Sequence, residues 1–75
     1  MAEVRLDCYG EACPIPLLKA EKKMKELKTG DVLIVETDHS CAIKNVPEWA
    51  RKKGYLVDIE ETGEGTWDIR IEKTA

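Results

Sequence analysis

Three cysteines and a single histidine are the side chains best suited to chemistry in this chain of 75 residues. Cys13 is followed directly by Pro14, and Pro16 comes two positions later. Proline is well suited to the first position of a helix, which places Cys13 at the cap. The positive end of a helix stabilises a thiolate, the nucleophilic form of cysteine. The pattern therefore indicates a reactive thiol at Cys13, with a small residue at a helix start as the simpler interpretation.

The other two cysteines have plainer interpretations. Cys8 ends an alternating pattern on the same side as Val4 and Leu6, which predicts a buried small residue. Its alternative role is a resolving thiol for Cys13. Cys41 lies near the predicted start of a second helix, either as a cap residue of no consequence or as an additional thiol of the site.

A metal site is the other chemistry that these residue types allow. Cys8, Cys13, His39 and Cys41 are the donor types of a zinc site with three thiolates and one imidazole. Their Cys-x4-Cys and His-x-Cys spacings are loose for that purpose, so we predict no metal site and interpret His39 as an exposed loop residue. The odd number of cysteines and a reducing compartment both argue against disulfides, so we expect free thiols.

Hydrophobic periodicity predicts the elements that position these groups. Strands are predicted at 4–8, 32–35, 55–60 and 67–72, and helices at 14–27 and about 40–53. The first helix has a buried stripe of Leu17, Ala20, Met24 and Leu27. The order β-α-β-α-β-β predicts an α/β (α+β) two-layer sandwich, in which a four-stranded sheet carries both helices on one face.

The second helix leaves one question open at Pro47. This proline fits near the start of a helix capped by Asn45 with Glu48 as the capping-box partner, or it kinks a longer helix. The buried stripe of this helix is predicted at Val46, Trp49 or Ala50, and Lys53. Gly54 is the expected C-terminal stop.

The strand order brings the chemical residues together. A right-handed crossover makes the first two strands parallel, so their C-terminal ends share one edge of the sheet, where ligands gather in open α/β sheets. The loops at that edge hold Cys8, Tyr9, Cys13, Asp38, His39, Ser40 and Cys41. The sequence therefore predicts one site built from two loops.

Composition and charge limit the class of protein. Hydrophobic residues make up 43% of the chain and charged residues 36%, as in a globular protein, and we predict a single domain over residues 1–75. No apolar run approaches a membrane span and the N-terminus does not resemble a signal peptide, so we expect a cytoplasmic protein. The net charge of −3 argues against direct nucleic-acid binding.

The segment Leu-Asp-Cys-Tyr-Gly-Glu-Ala-Cys-Pro-Ile-Pro at residues 6–16 resembles the signature L-D-x-x-G-x-x-C-P-x-P of the TusA/SirA/YeeD-like sulfur-carrier family. Weaker matches extend along the chain at 28–31, Asp38, Val46-Pro47 and Gly54. The resemblance implies the same β-α-β-α-β-β order with a mixed four-stranded sheet. It also implies that Cys13 carries sulfane sulfur as a persulfide, supported by the motif residues Asp7, Gly10, Pro14, Ile15 and Pro16.

A sulfurtransferase of this kind needs no metal or organic cofactor. The resemblance implies two partner proteins: a sulfur donor (a cysteine desulfurase, a rhodanese-like or a thiosulfate-handling protein) and an acceptor sulfurtransferase. We expect this chain itself to be a monomer or a weak dimer. The five lysines between Lys19 and Lys28 are either a solvated helix face or a docking surface for an acidic partner. Two alternatives remain: a zinc or redox module using Cys8, Cys13 and Cys41, and a non-catalytic interaction or RNA-associated domain.

Overall fold

The computed structural model describes residues 3–11 and 15–74, and its elements follow the predicted order. They are β1 (Glu3–Asp7), α1 (Ile15–Glu26), β2 (Val32–Thr37), α2 (Ala42–Lys52), β3 (Leu56–Gly63) and β4 (Thr66–Glu72). The ends differ from the predicted ones by a few residues. The predicted start of the first helix at Pro14 lies outside the described residues.

The four strands form one mixed sheet in the order β1-β2-β4-β3. β1 and β2 are parallel, as a crossover through α1 requires, whereas β4 pairs antiparallel with both β2 and β3. The core lies between one face of this sheet and the two helices. The predicted two-layer sandwich is therefore confirmed.

Each helix contributes a narrow apolar stripe to the core. In α1, Ala20 and Met24 are buried, and Leu17 and Leu27 pack against them partly buried, as predicted. In α2 the buried positions are Ala42, Val46, Pro47 and Ala50, with Trp49 partly buried beside them. The predicted stripe was wrong at its last position, because Lys53 lies beyond the end of α2 and is exposed.

The central strand β2 is buried on both faces. Leu33 and Val35 point into the core beneath the helices. Ile34 on the opposite face is only 3% exposed although no helix covers it. Its neighbours on the adjacent strands are Arg5 and Arg70, whose long side chains flank it. This arrangement explains why the sequence of β2 is a continuous apolar run rather than an alternating one.

Pro47 lies inside α2 rather than at its start. The predicted capping box of Asn45 and Glu48 was therefore wrong, and the alternative of a longer helix is correct. The helix extends back to Ala42 because Ala42 and Val46 are both fully buried, and their packing outweighs the hydrogen bond that Pro47 cannot donate. Gly54 follows the helix with a φ of 83°, which confirms the predicted stop.

The C-terminal end of α1 is completed by a residue from the far end of the chain. The Nζ of Lys73 donates to the carbonyl oxygens of Met24 and Leu27, both at 2.7 Å. The Met24 carbonyl also accepts from the N–H of Leu27 at 3.3 Å. Carbonyls at the C-terminal end of a helix lack the usual intrahelical donors, and a cation is favourable at this end of the helix dipole. Local sequence patterns contain no sign of this contact, because it spans more than forty residues.

The β3–β4 hairpin is longer than predicted. The strands extend to Gly63 and Thr66, so only Glu64 and Gly65 form the turn between them. Ile59 pairs with the buried Ile69 of β4, yet it is 42% exposed. Since β3 is an edge strand and Val57 is its last residue packed on the core, the inward side of the hairpin beyond Val57 has no helix above it.

Candidate functional site

The loops after β1 and β2 are hydrogen-bonded to each other at one edge of the sheet. The N–H of Cys8 donates to the carbonyl of Glu36 at 2.8 Å, continuing the parallel pairing past the end of β1. Two residues further along the chain, the N–H of Gly10 donates to Asp38 Oδ1 at 2.9 Å. The predicted convergence of these two loops is therefore confirmed for their described residues.

Two residues of the first motif shape the loop. Asp7 Oδ1 accepts from the N–H of Tyr9 at 3.0 Å, which closes a tight turn at the end of β1. Gly10 adopts a φ of 76°, a left-handed conformation that other residues adopt only with strain. A Cβ at Gly10 would meet no atom within 4 Å, so backbone conformation rather than space explains the glycine.

Cys13 and Pro14 lie outside the described residues, so the site is defined by the residues on either side of them in the chain. Glu11 precedes them and forms an ion pair with Lys19 of α1. The second carboxylate oxygen of Glu11 is buried and has no hydrogen-bond partner in the described part of the chain. Ile15 follows them at the start of α1 and is 44% exposed, and Pro16 is buried in the first turn of the helix.

Asp38 is the residue that joins the two loops. Its Oδ1 accepts from Gly10 and also lies 3.0 Å from His39 Nδ1. The Gly10 N–H, and then the hydrogen bond to His39, lower the pKa of Asp38 below its ordinary value. His39 itself is a loop residue with 38% of its side chain exposed, and its N–H donates to Thr37 Oγ1 at 3.2 Å. Its imidazole is therefore oriented by the loop residues beside it.

We expect Asp38→Asn to destabilise the protein at neutral pH but not in strong acid. A carboxylate whose folded pKa is lowered stabilises the fold above its unfolded pKa, and this contribution disappears as the pH falls through the folded pKa. Urea unfolding of both proteins at about pH 7 and about pH 2 measures the difference. Glu64→Gln, in the exposed β3–β4 turn, is the control and should show no such pH-dependent gap. A gap of equal size at both pH values would contradict this role of the Asp38 charge.

Cys8 is a structural residue. It is completely buried in the core cluster, as predicted, and it is a free thiol. Burial, and then the nearby charge of Glu11, raise the pKa of the Cys8 thiol above its ordinary value. A buried thiol with a raised pKa is a poor nucleophile, so the alternative role of Cys8 as a resolving thiol has no support in this environment.

Replacing Cys8 with Ala should lower the free energy of unfolding by about 1 kcal/mol through lost packing. Denaturant unfolding checks the size of the effect. Labelling of native wild-type protein with iodoacetamide should leave Cys8 unmodified, because the reagent has no access to it. Labelling of Cys8 at the rate of an exposed thiol would show that the loop opens under native conditions.

Cys41 occupies the N-cap of α2 and is exposed. It is disulfide-bonded, which corrects the expectation that all the thiols are free. That expectation came from the number of cysteines and the presumed compartment, neither of which considers proximity.

Residues 3–11 and 15–74 contain no group of three or more His, Cys, Asp or Glu side chains placed to hold a metal ion. Within the same ranges, neither helix is long and apolar enough to cross a membrane.

Comparison with known proteins places the chain in a family. The chain belongs to the TusA family, because the family model described as Sulfurtransferase TusA matches residues 4–73. It is 33% identical over 70 residues to the "Putative sulfur carrier protein TsuB" of Escherichia coli K12, covering 92% of this chain and 93% of that protein. It is 37% identical over 73 residues to MJ0990 of Methanocaldococcus jannaschii, which bears the same description, covering 97% of both chains.

A solved structure has the same fold. The crystal structure of a SirA-like protein from Desulfitobacterium hafniense superposes with a TM-score of 0.88 at 29% identity. The match covers 96% of this chain and 99% of that one. The resemblance that the first motif predicted is thus confirmed at the levels of family and fold.

Proposed function

We propose that this protein is a sulfur carrier that accepts sulfane sulfur as a persulfide on Cys13 and passes it to a thiol of a partner protein. The observation that carries the proposal is the TusA family match over residues 4–73, which includes the whole Cys-Pro-Ile-Pro segment. The described geometry supports it, since Gly10, three residues before Cys13 in the chain, lies at the edge where the two loops meet. Cys8 is buried and cannot take this role.

Loading is a nucleophilic substitution at sulfur. The Cys13 thiolate attacks the outer sulfur of a donor persulfide, forms a new S–S bond and releases the donor thiolate. With thiosulfate as the donor, the same attack on the sulfane sulfur releases sulfite. α1 begins at Ile15, two residues after Cys13 in the chain, and the positive end of a helix favours negative charge on a thiolate and on a persulfide anion.

Delivery repeats the exchange in the opposite direction. A thiolate of the acceptor attacks the outer sulfur of the Cys13 persulfide and leaves Cys13 as a thiolate. Neither step changes the total oxidation state, so the proposed relay needs no metal or organic cofactor. The activity is that of a sulfurtransferase with two protein partners, a sulfur donor and an acceptor.

The surface beside the segment suits brief contacts with such partners. Tyr9, Ile15 and Leu18 are each more than 40% exposed on the two sides of Cys13 in the chain. Lysines of α1 continue the surface away from this apolar patch, with Lys22 and Lys25 exposed. A partner with an apolar centre and an acidic rim would match this surface. The predicted cytoplasmic location stays a prediction.

Mass spectrometry tests the proposal directly. The reduced protein is incubated with thiosulfate, or with a cysteine desulfurase and cysteine, and then digested. We expect a gain of one sulfur atom on the peptide that contains Cys13, reversed by a thiol reductant. No gain with either donor would contradict the proposal and leave a non-catalytic interaction domain as the better interpretation. Stoichiometric zinc in the purified protein would favour the metal-binding alternative instead.

A further inference from the structure

A groove lies at the edge of the sheet where β2 begins, opposite the edge where the two loops meet. It is formed between the C-terminal ends of α1 and α2 and has a volume of about 270 Å³. Trp49 and Tyr55 line it, together with Lys25, Lys53 and Lys73. We propose that this groove binds an acidic segment of a partner protein, whose aromatic side chain packs against Trp49 and Tyr55. The binding needs no thiol and goes beyond sulfur transfer.

The aromatic part of the groove is formed before any partner binds. The rings of Trp49 and Tyr55 meet edge to face, with their centroids 5.9 Å apart and an angle of 70° between their planes. Trp49 belongs to α2, and the N–H of Tyr55 donates to the carbonyl of Ala50 at 3.0 Å. Both aromatic residues are only partly buried, so an incoming ring can contact them. Such a ring would gain from both apolar burial and aromatic contacts.

The rim of the groove is positively charged, although the whole chain has a net charge of −3. Lys25 is exposed on α1 and Lys53 is exposed directly after α2, so each helix contributes one ammonium group. Within residues 3–11 and 15–74, neither lysine forms an ion pair. Glu21 is the one carboxylate among the lining residues, against three lysines. The groove therefore attracts negative charge from both of its sides.

The end of the chain fixes the shape of the groove. The hydroxyl of Thr74 donates to the carbonyl of Gly54 at 2.6 Å. The N–H of Lys73 donates to the carbonyl of Asp31 at 2.9 Å, and its carbonyl accepts from Gly30 at 2.7 Å. These bonds join the turns after α1 and α2 through the segment that follows β4. Binding to a groove held in this way requires little ordering of the protein.

The size of the groove and the positions of its charges favour a protein segment over a small molecule. Its volume lies below the range of about 300–1,000 Å³ that is typical of small-molecule pockets. Lys25 and Lys53 stand at the ends of different helices, so a small ligand with one charged group would reach only one of them. A segment with acidic residues on both sides of an aromatic residue would reach both.

A partner held in this groove would leave the loops after β1 and β2 uncovered. The six residues of β2 run from one edge to the other and span roughly 20 Å. One protein could therefore hold the carrier at this edge while a second protein meets the opposite edge. The docking itself requires no persulfide, so it can be tested separately from the proposed function.

The test titrates a blocked peptide, Glu-Asp-Phe-Asp-Glu, into the isotope-labelled protein and follows it by nuclear magnetic resonance. Each tryptophan gives its own indole N–H signal, and Trp67 pairs with Thr37 near the opposite edge. We expect the Trp49 signal to shift to saturation while the Trp67 signal stays in place. The same peptide with alanine instead of phenylalanine should bind roughly tenfold more weakly or worse.

Two double variants separate the groove from general electrostatic attraction. Lys25→Gln with Lys53→Gln removes two charges from the groove, whereas Lys44→Gln with Lys52→Gln removes two exposed charges outside it. Both double variants change the net charge by the same amount. We expect the groove variant to bind the peptide roughly fivefold more weakly and the control variant to bind it as wild type does. Thermal unfolding of both variants measures any effect of lysines on the helix ends themselves.

Several outcomes would overturn this assignment. They are an unmoved Trp49 signal, equal binding of the alanine peptide, and equal losses in the two double variants. Shifts centred on Ile15 and Leu18 would place the acidic segment on the other side of the molecule. Binding of benzoate as tightly as the peptide would assign the groove to a small aromatic acid, and shifts on raising the protein concentration alone would assign it to a second copy of this chain. None of these outcomes affects sulfur loading, so the proposed function is decided independently.

Discussion

Replacing Cys13 with Ser should abolish sulfur loading, with a loss on the order of a thousandfold or more. Serine keeps the size of the side chain but is not ionised near neutral pH, so it neither attacks a sulfur donor nor holds a persulfide. Loading is measured as the gain of one sulfur atom per protein after incubation with thiosulfate or with a cysteine desulfurase and cysteine. Cys13→Ala should give the same result, which separates loss of the thiol from any effect of the hydroxyl.

Two controls make this expectation specific. Cys41→Ser should load normally, so a defect confined to the Cys13 variants is specific to the thiol at that position. Circular dichroism and thermal unfolding of Cys13→Ser should show that the fold is retained. Normal loading of Cys13→Ser would contradict the assignment of Cys13 as the carrier residue.

The largest stability effect is expected for Leu33→Ala in the central strand. Leu33 is fully buried in the core cluster, and removing its side chain leaves a cavity there. We expect a loss of about 3 kcal/mol, within the range known for buried leucines. The total stability of a domain of this size is roughly 4–11 kcal/mol, so such a loss is a large fraction of it. Thermal unfolding should shift downward by roughly 10–25 °C.

Ile34→Ala is the matched control, because Ile34 is adjacent in the same strand and is also nearly buried. It lies on the opposite face, flanked by Arg5 and Arg70, whose side chains remain 55% and 53% exposed. These flexible side chains can move over the gap, so the loss should be less than half of that at Leu33. An equal or larger loss for Ile34→Ala would contradict the assignment of the main core to the helix-covered face.

Local patterns in the sequence were sufficient to predict the order and type of all six secondary-structure elements. Strands β1 and β4 alternate with period two and α1 has a stripe at helical spacing, and these periods follow directly from backbone geometry. The parallel pairing of β1 and β2 followed from the handedness of crossovers, and it placed the two loops at one edge. The burial of Cys8 followed from its alternation with Val4 and Leu6.

Features that depend on residues far away in the chain could not be predicted from these local patterns. Pro47 is accommodated inside α2 because Ala42 and Val46 are buried against the sheet, a gain that local helix propensity does not include. Lys73 completes the end of α1, and Asp38 holds the first loop through Gly10. Each contact joins residues that are far apart in the chain.

The sequence by itself determined which thiol is the carrier candidate, because the Cys-Pro-Ile-Pro segment is local and specific. The tertiary structure decided the environments of the other two cysteines. Cys8 and Cys41 both lie near the ends of predicted elements, and the local sequence around each does not distinguish a structural cysteine from a reactive one. Cys8 points into the core and its burial raises the pKa of the thiol, whereas Cys41 is exposed at a helix start and takes part in a disulfide. The difference arises because side-chain reactivity depends on burial and on neighbours from other strands, which only the folded chain brings together.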